Sequence, residues 1–180
     1  MANSLALLRG INVGGNTLIK MADLRQALED DGFEDVRTYI NSGNVIYKTA
    51  KGFDARRIEK VITKHFNHEV DVVVFTDRQW QAIIKAAPGS WGTDEKSKHN
   101  LLALLDAKEM KKIVAGIGEL REGMESLDAG KGVLYQSIAI DSVGKGATGS
   151  KLASKAAYKR MTVRNYNTSV KLAELLDAAE

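Results

Sequence analysis

The stretch VRTYINSGNVIY, residues 36–47, carries a hairpin signal from which the surrounding chain can be interpreted. Two short runs of β-forming residues, Val36–Ile40 and Val45–Tyr47, flank the turn Asn41–Asn44. Asparagine and glycine favour such turns because they tolerate left-handed backbone conformations. The segment is therefore predicted to form two neighbouring antiparallel strands.

Predicted helices and strands precede and follow this hairpin in a regular order. A Leu-rich strand, Ser4–Arg9, precedes a helix that begins near Met21 and has apolar residues three and four positions apart. After the hairpin, a second helix, Phe53–Phe66, leads into the strand Val70–Phe75. The order β-α-β-β-α-β predicts a ferredoxin-like domain, or α-β plait, over residues 1–76.

The second half of the chain repeats this order of elements without residue-by-residue identity. The predicted elements are the strand Leu101–Leu105, the helix Ala107–Ile117, the hairpin strands Met124–Asp128 and Val133–Ile140, the helix Ser150–Arg160 and the short strand Met161–Val163. The sequence thus predicts an α+β protein of two consecutive ferredoxin-like domains, the second over residues 100–180 with a C-terminal helix at Thr168–Ala178. Residues 77–99 are predicted to be a connecting helix, opened by a Thr76–Gln79 capping box, and a linker.

The composition excludes several classes of protein. The 180 residues contain no cysteine, which rules out a disulfide framework, a thiolate metal site and a cysteine nucleophile. No apolar run approaches the length of a membrane span. A cytoplasmic protein without a membrane segment is predicted, and neither a cofactor nor a metal site is indicated.

Positive charge is concentrated in one segment. Residues 144–171 contain seven basic residues and no acidic one, within a net charge of +3. The segment begins with GKGATGSK, residues 144–151, but Ser150 precedes Lys151 where a P-loop needs the opposite order. A dinucleotide fingerprint is also not met, because no acidic residue follows until Glu174. A looser phosphate contact and a solvated basic face both remain open.

A second candidate site follows from topology. The strand order 4-1-3-2 of a plait brings the loop after the first strand, the hairpin turn and the start of the first helix to one end of the sheet. Glycines, amides, an arginine and helix N–H groups converge there, as in many anion sites. The candidate ligand-binding residues are Arg9, Gly10, Asn12, Gly14, Gly15 and Lys20 in the first loop, Asn41, Ser42, Gly43 and Asn44 in the turn, and Lys145, Ser150, Lys151, Arg164 and Asn165 in the basic segment.

Several of these segments also resemble a known family. LLRGINVGG at 7–15, VRTYINSGNV at 36–45, GSKL at 149–152 and TVRNYNT at 162–168 resemble the uncharacterised bacterial domain-of-unknown-function family 1697. Tyr166 stands where that motif is associated with tryptophan, so an aromatic ring is kept. The resemblance implies two ferredoxin-like domains and assigns no chemistry.

Three functional hypotheses follow. The first is a binding protein for a phosphate-bearing ligand, either a small molecule or nucleic acid. The second is an enzyme acting on a small anionic substrate, with Arg9 or Arg164 as an electrostatic clamp. The third is a structural or homo-oligomeric role. No general base stands out, since His99 has many serines as candidate partners and the sequence ranks none of them.

Overall fold

The protein folds into two compact units. The computed structural model describes residues 3–13, 18–48, 50–52, 54–143 and 156–177. One unit comprises Met1–Gln81 and Leu172–Glu180, and the other comprises Ala82–Lys171. Each unit contains one four-stranded antiparallel sheet, so the molecule belongs to the α+β class.

The first unit follows the order predicted from the sequence. Its elements are β1 (Asn3–Leu8), α1 (Met21–Asp30), β2 (Arg37–Tyr39), β3 (Asn44–Lys48), α2 (Ala55–Phe66) and β4 (Val72–Thr76), followed by α3 (Asp77–Lys85). The sheet order is β2-β3-β1-β4, which confirms the predicted strand order. Strand β1 therefore lies in the interior of the sheet, between β3 and β4.

The core of the first unit forms where α1 and α2 pack on the sheet. Strands β1 and β3 and the two helices contribute fully buried side chains to it: Ala6 and Leu8 of β1, Val45 and Tyr47 of β3, Leu24 of α1 and Ile62 of α2. All six residues of β1 are buried, including Leu5 and Leu7, whose side chains point to the opposite face of the sheet. A central strand covered on both faces has the continuous apolar pattern seen in its sequence.

Helix α3 begins with the predicted capping box. The backbone N–H of Thr76 donates to Gln79 Oε1 at 2.8 Å, and the Gln79 N–H donates to Thr76 Oγ1 at 3.2 Å. The reciprocal bonds satisfy two backbone donors at the helix start and stop the helix from unravelling there.

The second unit has the same sheet order. Its elements are β5 (Ser97–Leu104), a 3₁₀ turn (Ala107–Glu109), α4 (Met110–Ile117), β6 (Glu125–Ala129), β7 (Val133–Ala139), two further 3₁₀ turns (Ile140–Ser142 and Ala156–Arg160) and β8 (Met161–Asn165), followed by α5 (Tyr166–Asp177). The sheet order is β6-β7-β5-β8. Its core joins α4 and the 3₁₀ turn at Ala157 to Leu102, Leu104 and Leu134.

Three elements of the second half differ from the prediction. Strand β5 begins at Ser97, inside the predicted linker, because Ser97–His99 pair with Ser137–Ala139. The predicted helix Ser150–Arg160 falls partly outside the described residues, and its described part, Ala156–Arg160, is a 3₁₀ turn. Strand β8 continues to Asn165, two residues beyond the predicted Val163.

The final helix contributes to both units. Residues from Leu172 onward group with the first unit, whereas the sequence assigned them to the second domain. Gln81 Nε2 donates to the Ala173 carbonyl at 2.8 Å, and Leu172 and Leu176 are fully buried. The buried side chains of α5 fall three and four residues apart, so they form an apolar stripe along one face of the helix. This stripe explains why the end of α5 packs with the first unit. Within the described ranges, no helix combines the length and apolar character required to cross a bilayer.

Candidate functional site

Two loops of the first unit meet at one end of its sheet. The Leu8 N–H donates to the Gly43 carbonyl at 2.8 Å, and Asn12 Nδ2 donates to the Asn41 carbonyl at 2.8 Å. The contact predicted between the 9–15 loop and the 41–44 turn is therefore confirmed for the described residues. This region, residues 9–13, 18–20 and 40–44, is called the loop end below.

Asn12 is the residue that ties the loop end together. It adopts a left-handed conformation, with φ of 55°. Besides its bond to Asn41, its amide donates to the Ile19 carbonyl at 2.8 Å and accepts from the Ile19 N–H at 2.9 Å. The amide is thus engaged in holding three backbone segments, which fixes the entry into α1.

The hairpin turn is equally tightly built. Gly43 has φ of +77°, and a Cβ atom placed there would lie 2.7 Å from Leu8 Cβ. Asn44 is buried, and its Nδ2 donates to the Tyr39 carbonyl and to Ser42 Oγ, both at 3.0 Å. Gly43 and Asn44 therefore set the shape of the turn, whereas the exposed Asn41 faces solvent.

Helix α1 opens at the loop end without a side-chain cap. Lys20 occupies the N-cap position with extended backbone angles, and its side chain makes no capping hydrogen bond to the first turn of this ten-residue helix. The first backbone N–H groups of a helix lack intrahelical partners and carry partial positive charge. Lys20 is exposed and adds a full positive charge, which the carboxylate of Asp23 in the first turn partly offsets.

Three exposed apolar residues belong to the loop end. Val13, Leu18 and Ile40 are 59%, 72% and 50% exposed, and they are the large exposed hydrophobic residues of the first unit within the described ranges. Ile40 also adopts a left-handed conformation, with φ of 47°, which is rare for a β-branched residue. Strain of this kind often accompanies functional sites.

The remaining candidates from the sequence divide into two groups. Gly14, Gly15, Lys145, Ser150 and Lys151 lie outside the described residues. Arg9 is half-buried at the end of β1, its backbone N–H donating to the Asp71 carbonyl at 2.9 Å, and Gly10 is exposed beside it.

Arg164 and Asn165 belong to the second unit and have local structural contacts. Arg164 is only 5% exposed, and its Nη1 donates to Thr162 Oγ1 at 2.9 Å and to the Val163 carbonyl at 2.8 Å. Burial lowers the pKa of its guanidinium to about 10. The Asn165 side chain accepts from the Thr168 N–H and so caps the start of α5. Neither residue belongs to the unit that forms the loop end.

A histidine and a serine that the sequence could not pair meet in the second unit. His99 of β5 and Ser137 of β7 are directly opposed in the strand register, and His99 Nδ1 lies 2.8 Å from Ser137 Oγ. The other ring nitrogen, Nε2, lies 2.9 Å from the Asp94 carbonyl. His99 is buried, whereas Ser137 is half-exposed.

These residues line a cavity of about 280 Å³ on the second unit. Asp94 is held beside His99 by a compact turn, in which its carboxylate accepts from Ser97 Oγ at 2.6 Å and from the Lys96 N–H at 3.0 Å. The bond from Ser97, more than the one from Lys96, lowers the pKa of the Asp94 carboxyl. The cavity therefore combines a hydroxyl, an imidazole and a fixed negative charge.

Among the residues described, no group of three or more histidine, cysteine, aspartate or glutamate side chains is arranged to hold a metal ion.

Comparisons with known proteins identify the family. A solved structure entitled "The structure of conserved bacterial protein SP0830 from Streptococcus pneumoniae" matches with a TM-score of 0.85 and 27% identity over 97% of this chain and 98% of that chain. No curated protein matches the chain. A family model described as "Protein of unknown function (DUF1697)" matches residues 1–135, so the chain belongs to that family.

Proposed function

We propose that this protein binds a phosphate-bearing ligand, a nucleotide or a nucleic acid, at the loop end of its first unit. The single observation that carries the proposal is the uncapped N-terminus of α1, which opens at Lys20. Backbone N–H groups and a helix dipole at such a terminus favour a phosphate group. Lys20 adds a charge that can approach the same anion.

The rigidity of the loop end supports binding at this position. The Asn12 amide joins the segment before α1 to the Asn41 turn, and Gly43 packs directly against Leu8. A site whose backbone is already fixed loses little conformational entropy when a ligand binds. These contacts hold the backbone next to the helix start in place before a ligand binds.

The apolar side chains at the loop end favour a ligand with an unsaturated or apolar part. Leu18 and Ile40 are 72% and 50% exposed, and Val13, at 59%, lies in the same loop as Asn12. Pairing a phosphate-binding helix start with apolar contacts suits a nucleotide, whose base can rest on aliphatic side chains. Inorganic phosphate would use the helix start alone.

Thermal unfolding in the presence of ATP, inorganic phosphate or a short oligonucleotide tests this proposal. A ligand that binds only the native state raises the melting temperature. We expect ATP to stabilise the wild type, and Lys20→Gln to lose most of that stabilisation. Lys60→Gln is the matched control, since Lys60 is an exposed lysine of the same unit on α2.

Two results would contradict ligand binding at the loop end. One is an absence of stabilisation by all three probes. The other is an equal response in the Lys20 and Lys60 variants, which would indicate binding through general charge. A response confined to the oligonucleotide, with steep salt dependence, would favour nucleic acid over a free nucleotide.

We also propose that both units are ferredoxin-like. The element order βαββαβ of the first unit and the shared sheet order of the two units support this assignment. A cytoplasmic location and a homo-oligomeric state remain predictions from the sequence.

A further inference from the structure

The hydrogen bonds of His99 define which of its nitrogens carries the proton. The Asp94 carbonyl can only accept, so the bond at Nε2 requires a proton on that nitrogen. In the neutral ring Nδ1 is then a bare acceptor. Ser137, 2.8 Å away, must donate its hydroxyl proton to Nδ1. A serine that donates to a histidine held by a third group has the arrangement of an activated nucleophile.

We propose that the cavity of the second unit is a hydrolytic site for small esters, with Ser137 as nucleophile and His99 as general base. Ser137 Oγ attacks the ester carbonyl carbon while its proton passes to His99 Nδ1. The resulting imidazolium gives this proton to the departing alcohol oxygen as the acyl–oxygen bond breaks, leaving an acyl-serine. Water then attacks that ester with the same base, releasing the carboxylic acid and restoring Ser137.

Asp94 is the positioning residue of this site. Its carbonyl orients the ring through Nε2, and its carboxylate is fixed beside His99 by Ser97 and Lys96. A fixed negative charge stabilises the imidazolium that forms during proton transfer. Asp94 thereby supplies both the ring orientation and the negative charge that the acidic residue provides in a serine-histidine-acid triad.

The size and charge of the cavity indicate the substrate class. Its volume of about 280 Å³ is small for a ligand pocket and accommodates a short acyl group. Among the residues that the structure describes, its wall includes the acidic residues Asp94 and Glu125 and no lysine or arginine. An uncharged acyl group is therefore expected to enter more readily than a negatively charged one. Ser126, opposed to Ser137 in the sheet register, is one of three further serines in the wall, with Ser90 and Ser97.

Covalent labelling with a fluorophosphonate, followed by peptide mass spectrometry, tests the nucleophile directly. We expect a single adduct on Ser137 of the wild type. Hydrolysis of p-nitrophenyl butyrate should fall by about 100-fold or more in both Ser137→Ala and His99→Gln, the range typical of losing a general base or its nucleophile. Hydrolysis of the p-nitrophenyl hemisuccinate should be slower than that of the butyrate in the wild type.

Ser142→Ala is the matched control, because Ser142 is a serine of the same unit that does not line the cavity. It should keep both labelling and hydrolysis, and circular dichroism should show all three variants folded. An unlabelled wild type, an adduct on a different residue, or unchanged hydrolysis in Ser137→Ala would overturn the proposal. The adduct is measured on the wild type, so the test holds even where a variant fails to fold.

Discussion

The side-chain amide of Asn12 donates to the backbone carbonyl of Asn41 at 2.8 Å, joining two loops that are 29 residues apart in the chain. The same amide exchanges two hydrogen bonds with the backbone of Ile19. One side chain therefore holds the end of β1, the start of α1 and the hairpin turn in a single arrangement.

Two substitutions of Asn12 separate the stability that its hydrogen bonds provide from the stability that depends on its backbone conformation. Asn12→Gly keeps the left-handed conformation without strain but removes the bonds to Ile19 and Asn41. We expect a loss of about 1–3 kcal/mol in the free energy of unfolding, because partly buried backbone groups lose their partners. Asn12→Ala should lose about 1 kcal/mol more, since a Cβ disfavours positive φ.

Urea unfolding of the wild type and the two variants measures these differences. A glycine variant as stable as the wild type would mean that water replaces the amide at no cost. The Asn12 amide would then be irrelevant to the stability of the loop end.

Gly43 and Gly10 form a matched pair for a steric prediction. Both have positive φ, +77° and +71°, but a Cβ at Gly43 would lie 2.7 Å from Leu8 Cβ, whereas a Cβ at Gly10 meets nothing within 4 Å. Gly10→Ala should therefore lower the free energy of unfolding by only about 1 kcal/mol, the effect of the disfavoured backbone conformation. Gly43→Ala should lower it further, because the added Cβ also displaces the turn from β1.

Comparing the urea midpoints of the two alanine variants isolates the effect of the close contact between Gly43 and Leu8 on stability. The Gly43 variant should unfold at a clearly lower urea concentration than the Gly10 variant. Equal midpoints would show that the turn can move away from Leu8 freely, contrary to the packing described.

The buried hydroxyl of Tyr47 predicts a change in stability at alkaline pH. Burial raises the pKa of Tyr47 from 10.0 to about 12 in the folded protein. The proton is held more tightly in the folded than in the unfolded state. The contribution of Tyr47 is therefore complete below pH 10 and is lost as the pH rises from about 10 through 12.

Tyr47→Phe removes this titration. The wild type should lose stability more steeply than the phenylalanine variant between pH 10 and pH 12, as followed by thermal unfolding at each pH. Parallel curves for the two proteins would mean that Tyr47 titrates alike in the folded and unfolded states.

The loop end could be predicted from the sequence because it depends on topology and on local signals. The Asn-Ser-Gly-Asn turn at 41–44 specifies a hairpin, and the strand order then brings Arg9–Gly10 beside it. The use of Asn12 as a structural clamp could not be predicted, since it requires the positions of three backbone segments at once.

The hydrolytic pair in the second unit could not be predicted for a different reason. Ser97–Asn100 is a polar tetrapeptide that resembles a loop, yet it forms the start of β5 through pairing with residues 36 or more positions away. Local propensity is overridden by tertiary pairing in such strands. Only that register makes Ser137 the partner of His99 among all the serines.

The basic segment illustrates a third limit. A run of cations with no acids suggests a solvated or binding surface, and the exposed Lys159 agrees with that pattern. Arg164 does not, because β8 continues through Asn165 and buries its side chain. Net charge along a sequence does not distinguish a cation on the surface from one that is enclosed by a sheet.

Binding at the start of α1 is the central claim, and a two-dimensional ¹H–¹⁵N NMR titration with ATP tests it most directly. The largest amide shifts should occur at Met21, Ala22 and Asp23, whose N–H groups have no intrahelical acceptor and would meet the phosphates, with smaller shifts at Asn41. Lys20→Gln should reduce all of these shifts at the same ATP concentration, whereas Lys60→Gln should leave them unchanged. Saturable shifts confined to residues outside the loop end, or no shifts at millimolar ATP, would contradict the assignment.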